Sequence, residues 1–389
     1  MIFLLLALLD GIFRLMADNG LSTGILENIY VLHPILMVFG FLASIVMAER
    51  VAGISVIPKL NKSPLPLTMV PLILIGVALE VIGYTVGTEL LKFVGGAFLL
   101  AGSIVFIFVL GKLAKNTGTK LPFYYMIVSG VSLAASAVLS AFYLPLGNFG
   151  FIMLLLCFPL VFILGERVEL TRFTSTASAN QRFKIAFGLS CIAVAAFVIS
   201  SLPPSTGVQA VSSSLGSVLL LGTIAIVLLG EIQNWKLLLK SNQPLQKYVV
   251  SHTKVAYAWG ILGVILAAIY SMDSMHIDLY DSFIHSIAVG FIGTMLLAHG
   301  PVILPTVTGR KIDMAKISIL PLSVLTLGNL IRIAGDIISL AYASRALEIV
   351  VGLSGWLILI AVILFLRQIM FSSSKPAKAE LGNISNIRG

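Results

Sequence analysis

The sequence has little charge. Asp, Glu, Lys and Arg make up only 11% of its 389 residues, against about 25% in a typical soluble domain. That scarcity excludes a water-soluble globule, which could not hide so much apolar surface. Cysteine is scarcer still. Cys157 and Cys191 each lie inside an apolar run, with no CxxC or Cys-rich tract, so neither a zinc ribbon nor an iron–sulfur cluster is expected. They read as buried small apolar residues. No basic cluster is interleaved with aromatics, which argues against a nucleic-acid partner. Apolar and polar residues do not alternate over short segments, which excludes an outer-membrane barrel. Histidine is also rare, with five in the whole chain.

What remains is apolar. Hydrophobic residues make up 58% of the chain and mean hydropathy is +1.06. A spanning helix needs roughly 20 such residues. Candidate spans fall near 2–17, 29–49, 66–86, 91–113, 122–143, 149–168, 183–202, 213–233, 252–271, 282–304, 317–341 and 345–370. The first is short and carries Asp10 and Arg14, so an interfacial helix is its alternative. It lacks a basic start and a small-residue cleavage site, unlike a signal peptide. The expected fold is all-α: a polytopic membrane bundle of about 12 transmembrane helices in the cell membrane, with the bilayer as its main partner. Residues 1–371 form one transmembrane domain, and 372–389 a disordered cytoplasmic tail. No repeat is evident along the chain.

The net charge of +9 is unevenly placed. Loops after even-numbered spans hold bases such as Arg50, Lys59, Lys112, Arg172, Lys236, Lys247 and Arg310. Loops after odd-numbered spans hold Glu27, Glu89, Asp273, Asp278 and Asp281, with Lys92 and Arg345 the exceptions. The positive-inside rule then puts both termini in the cytoplasm.

Four of the five histidines fall in or at the ends of spans, where an ionisable residue points to function. His276 sits in an outer loop. Spans two and ten both run inward, so His33 and His285 lie at similar outer depth. Two imidazoles at one depth can hold a haem from both faces. His299 follows His285 by fourteen residues, roughly 21 Å deeper, and pairs in depth with His252. That inner pair is a second candidate metal site, with helix bridging as the alternative. Met37, one turn after His33, could be a soft axial or copper ligand, or simply packing. Gly40, Ala43, Gly290 and Gly293 would admit a flat macrocycle or a close helix. Arg332 pairs locally with Asp336 or, like Arg14 and Arg345 at similar depth, meets a haem propionate. Glu80 suits a proton relay or a hydrogen-bonded helix contact. Glu166 and Glu231 sit beside bases at inner helix ends, where ion pairing accounts for them.

The run Leu32-His33-Pro34-Ile35-Leu36-Met37-Val38-Phe39-Gly40-Phe41 resembles the second helix of haem-copper oxidase subunit I. The whole chain is more similar to the NnrS family of twelve-span proteins described as containing haem and copper. The landmarks are Phe39-Gly40-Phe41, Gly165-Glu166-Arg167-Val168, Ala256-Tyr257-Ala258-Trp259 and the segment from His285 to Met295, followed by Thr308-Gly309-Arg310. The resemblance covers most of the chain in order and spacing. It implies His33 and His285 as metal-site residues, a haem b with copper as a further metal, and a role in nitric oxide or nitrosative-stress handling. It departs at Lys254, where a family histidine is expected; His252 is two residues away. Five histidines are too few for an oxygen reductase, whose two haems and copper need six. There is no adjacent His pair and no His-Pro-Glu-Val-Tyr-like run. The expectation is a haem-binding membrane protein, or one passing electrons, with other membrane or redox subunits as partners. The competing expectations are a secondary transporter with helices broken at Pro301, Pro305 and Pro321, and a cofactor-free scaffold in a respiratory complex.

Overall fold

The structure is a computed structural model. It describes residues 4, 6–9, 11, 32–55, 63–118, 120–142, 148–171, 177–202, 206–272, 277–308, 311–342 and 344–374. Eleven helices among these are long and apolar enough to cross a membrane. In order they are α1 (33–55), α2 (Leu65–Val86), α3 (Glu89–Asn116), α4 (Leu121–Ala141), α5 (Phe149–Thr171), α6 (Ala177–Ser201), α7 (Thr206–Lys240), α8 (Pro244–Met272), α9 (277–308), α10 (Leu320–Ser339) and α11 (Arg345–Ser372). The chain is a multi-pass membrane helical bundle. Of the first expected span, residues 4, 6–9 and 11 are helical; Asp10, Arg14 and its remainder lie outside the described residues.

Most helices match the expected spans within a few residues. The apolar stretch underestimates α7 and α8, which extend into polar sequence because Gln, Lys and Leu continue a helix readily past the apolar core. The prolines do not break helices. α9 runs on through Pro301 and Pro305, and Pro321 sits in the first turn of α10, where its missing N–H costs nothing. α11 ends at Ser372, and Ser373–Ser374 pair antiparallel with Lys311–Ile312. Residues 375–389 of the expected tail lie outside the described residues.

Helices adjacent in sequence pack as hairpins, notably α2 with α3, α6 with α7, and α10 with α11. The α2–α3 turn needs Gly87, whose φ of 72° closes α2 in the left-handed region. Near the middle of that pair a Cβ on Gly76 would stand 2.9 Å from the Gly95 carbonyl. Absence of a side chain there sets the interhelical distance.

α5 is the centre. Its sequence is apolar all round, and 89% of its spanning window is buried, against 17% for α11. α1 and α9 both pack on α5, and they also touch each other. The outward faces carry large exposed apolar side chains such as Val211, Met272, Phe142 and Trp356. Water would not tolerate that display, and lipid does.

Candidate functional site

Among the described residues two helices depart from α geometry, and they are the two that carry His33 and His285. In α1 the stretch Leu36–Ala43 is π-helical; in α9 it is Ser286–Gly293. π-helix is rare and concentrates at functional sites. Each segment begins within three residues of its histidine. Each has Gly at its fifth position, Gly40 or Gly290, and Phe at its sixth, Phe41 or Phe291. α-Helix resumes at a hydroxyl residue, Ser44 or Thr294. Aligned on the glycines, Phe39–Ala48 and Val289–Ala298 agree in character along their length, Gly-Phe-Leu-Ala-Ser against Gly-Phe-Ile-Gly-Thr at the core. This is a parallel local repeat, too short to be evident by eye along the chain.

The inner ends of these helices fix their depth. Arg50 of α1 binds Glu166 of α5, and His299 of α9 meets Arg167, the next residue of α5. His33 stands seventeen residues before Arg50, and His285 fourteen before His299. At about 1.5 Å per residue the histidines lie ~25 and ~21 Å above one common level. Their depths agree within one helical turn. α1 and α9 run in parallel.

Each of the four described histidines has Nδ1 on a backbone carbonyl. His33 Nδ1–H donates to Ala7 O at 2.8 Å, and His252 to Tyr248 O at 2.8 Å. His285 donates to Asp281 O at 3.0 Å, with the Asp281 carboxylate 3.2 Å away. His299 donates to Met295 O at 2.8 Å. This is how metal-bound imidazoles are fixed, and any metal would bond through Nε2. His299 differs. Its Nε2 lies 3.3 Å from an Arg167 N–H, which can only donate, so that lone pair is already engaged. His252 is fully buried with Nε2 unpartnered among the described residues. Among those residues no three His, Cys, Asp or Glu form a metal cluster.

Around His285 the charges are paired. Arg332 Nε and an NH2 nitrogen donate to the two Asp281 oxygens at 2.6 and 3.0 Å. Arg332 thus grips α9, whereas the sequence pointed to Asp336 or a propionate. Asp336 accepts from Ser282 at 3.3 Å, and Ser339 donates to Asp278 at 2.7 Å. The chain Arg332–Asp281–His285 orients the imidazole. Arg332 is one turn past Asn329, and Leu325, one turn earlier, faces Gly293. Asn329 therefore lies against the π segment just inside His285. It is fully buried, and neither amide atom has a partner among the described residues; nor does the buried Ser286 hydroxyl.

The other candidates disperse. Met37 is half-buried and packs on the core. Gly290 receives the Trp259 ring, so it serves helix packing. Arg345 is exposed at the start of α11. Arg14 and His276 lie outside the described residues. Glu80 accepts from Ser140 of α4 in a helix–helix contact.

The model of a domain of unknown function, DUF8744, matches residues 1–374. The chain belongs to this family. No curated protein matches it. In this DUF8744 protein, reasoning from sequence missed Asp281, Asn329, Arg167 and the π segments. Asp281 was legible as the residue one turn before His285. The repeated Gly-Phe could have marked the π segments. Nothing in the sequence pairs Arg332 with Asp281 instead of Asp336, because that choice depends on how α10 rotates against α9.

Proposed function

We propose that this chain is a haem-binding membrane protein of NnrS-like type, with a b-type haem held between His33 and His285. The observation that supports it is the depth-matched pair of Nδ1-anchored histidines, each at the head of a π segment, on parallel helices packed on α5. The donor set fits: two neutral imidazoles suit haem iron, and copper is a further metal they could take. Orphaned polar atoms of Asn329 and Ser286 beside His285 are the kind a bound group satisfies. When bound, a haem would supply a one-electron centre or, with one ligand displaced, a site for nitric oxide. The protein residues do the rest. Asp281 and Arg332 keep the His285 ring oriented, and Ala7 O does so for His33. The link to nitric oxide rests on the family resemblance; membrane electron transfer is the other role such a site serves, with redox subunits as partners. Both termini lie in the cytoplasm, which puts the histidine pair toward the outer face.

A secondary transporter is less well supported, because among the described residues α1 and α9 widen into π-helix without unwinding. The test is an absorption spectrum of purified protein. Wild type is expected to show a Soret band that shifts on adding nitric oxide. His33→Ala and His285→Ala are each expected to lose it. A wild type without the band refutes the reading.

A further inference from the structure

Glu80 of α2 is a buried acid that the haem reading does not use. It is 0% exposed. Two glycines of α3 make room for the packing around it. A Cβ on Gly95 would stand 2.7 Å from Glu80 Cγ, and one on Gly96 2.5 Å from the Ala141 Cβ of α4. Three helices thus close on one carboxyl. From α4, the Ser140 hydroxyl donates to Oε1.

Charge decides the state of this carboxyl. A carboxylate enclosed in a membrane bundle needs a cation or a proton. Glu166, Glu231 and Asp281 each bind an arginine. Among the described residues Glu80 has no ion-pair partner, and a single hydroxyl does not neutralise a charge. A metal cation would need a shell of several oxygens, and the side chains at hand are Glu80 and Ser140. One proton on Oε2 completes the site, because a neutral O–H costs far less to bury than a bare charge.

A cation stands one turn nearer the Gly87 turn. Lys92 of α3 crosses α2 at Gly83, where a Cβ would meet Lys92 Cγ at 2.9 Å. Gly83 is three residues from Glu80, and Lys92 three from Gly95, so the lysine shares a face with the carboxyl on both helices. Lys92 is 8% exposed; its ammonium bonds Glu89 at 2.8 Å and lies 4.5 Å from the centre of the Tyr84 ring. Glu89 is 69% exposed, so that pair meets water. Rotation of the flexible stem beyond Cγ carries the ammonium toward Glu80 instead. On the other elements packed against α2, α1 carries His33 at the same end of the bundle, and the matching half of α4 carries Ser140 and no titratable group.

We propose that Glu80 is a proton-binding site with Lys92 as its exchangeable counter-ion. Glu80 holds a proton while Lys92 pairs with Glu89. On release the Glu80 O–H bond breaks, the proton leaves past Lys92 to water at the α2–α3 turn, and the ammonium passes from Glu89 to the new carboxylate. Glu89 is left to water. The buried charge is paired as it forms, and no electron moves. The inference stands apart from the haem reading, and its test does not use haem.

The experiment is infrared spectroscopy of the full-length protein in nanodiscs, titrated from about pH 4 to about pH 10. Wild type is expected to show a protonated-carboxyl band that shifts in heavy water and fades as the pH rises. Glu80→Gln, which keeps the side chain's size and an acceptor for Ser140, is expected to lack that band throughout. In Lys92→Met the carboxylate has no cation to meet, so the band is expected to persist at least about one pH unit, or tenfold in proton concentration, higher. Glu89→Gln, at an exposed position where folding is not at stake, frees Lys92 and is expected to move the midpoint down. Equal carboxyl absorption in wild type and Glu80→Gln at every pH overturns the proposal, as does a Glu80 band that stays constant across the titration. A midpoint that neither Lys92→Met nor Glu89→Gln moves overturns the role of Lys92.

Discussion

At the residue scale, the structure assigns partners where composition gave only candidates. His285 is held by Asp281, which Arg332 grips in turn. Removing an outer-shell carboxylate of this kind usually costs about 10- to 100-fold in metal affinity. Asp281→Asn is expected to weaken haem retention by that order, read as Soret absorbance during titration with haem, while His252→Ala leaves it unchanged. Arg167 and Glu231 form a different kind of pair, wholly buried. Arg167→Met strands the Glu231 charge and is expected to cost about 3–5 kcal/mol, read as a lower unfolding midpoint in detergent. Adding Glu231→Leu to that variant should recover much of the loss. The sequence made the histidines and the buried acids legible, because an ionisable residue inside an apolar run stands out. Their partners were not legible, since Arg332–Asp281 and Arg167–Glu231 join helices far apart in the chain.

At the element scale, hydropathy located the helices well, because lipid demands one apolar stretch per crossing. It could not show the π segments, which keep the same apolar composition and change only the residues per turn. The same limit applied to glycine. Gly290 and Gly293 look alike in sequence, but a Cβ on Gly290 would meet Trp259 at 2.6 Å, whereas on Gly293 the nearest foreign atom is 3.5 Å away. Gly290→Val is therefore expected to destabilise the protein by about 1–3 kcal/mol through overpacking. Gly293→Ala should change it by less than about 0.5 kcal/mol. Thermal unfolding of the two variants side by side reads the contrast.

At the scale of the whole molecule, three parallel helices, α1, α5 and α9, form an axis. Ionised groups knit its basic end, and His33 and His285 lie at similar depth toward the other. The asymmetric loop charge makes this polarity legible in the sequence. The same rule gives its direction in the membrane. A single cysteine at Ser241, between α7 and α8, is expected to react with an impermeant thiol reagent only from the cytoplasmic side, and one at Ser344, before α11, only from outside. The reverse pattern would invert the orientation. Haem between His33 and His285 is the central claim, and a pyridine haemochrome assay on the purified wild-type chain tests it most directly. One haem b per chain, falling to none in His33→Ala and His285→Ala, is the expected result. A wild type that carries no haem, or haem retained undiminished in both variants, would contradict it.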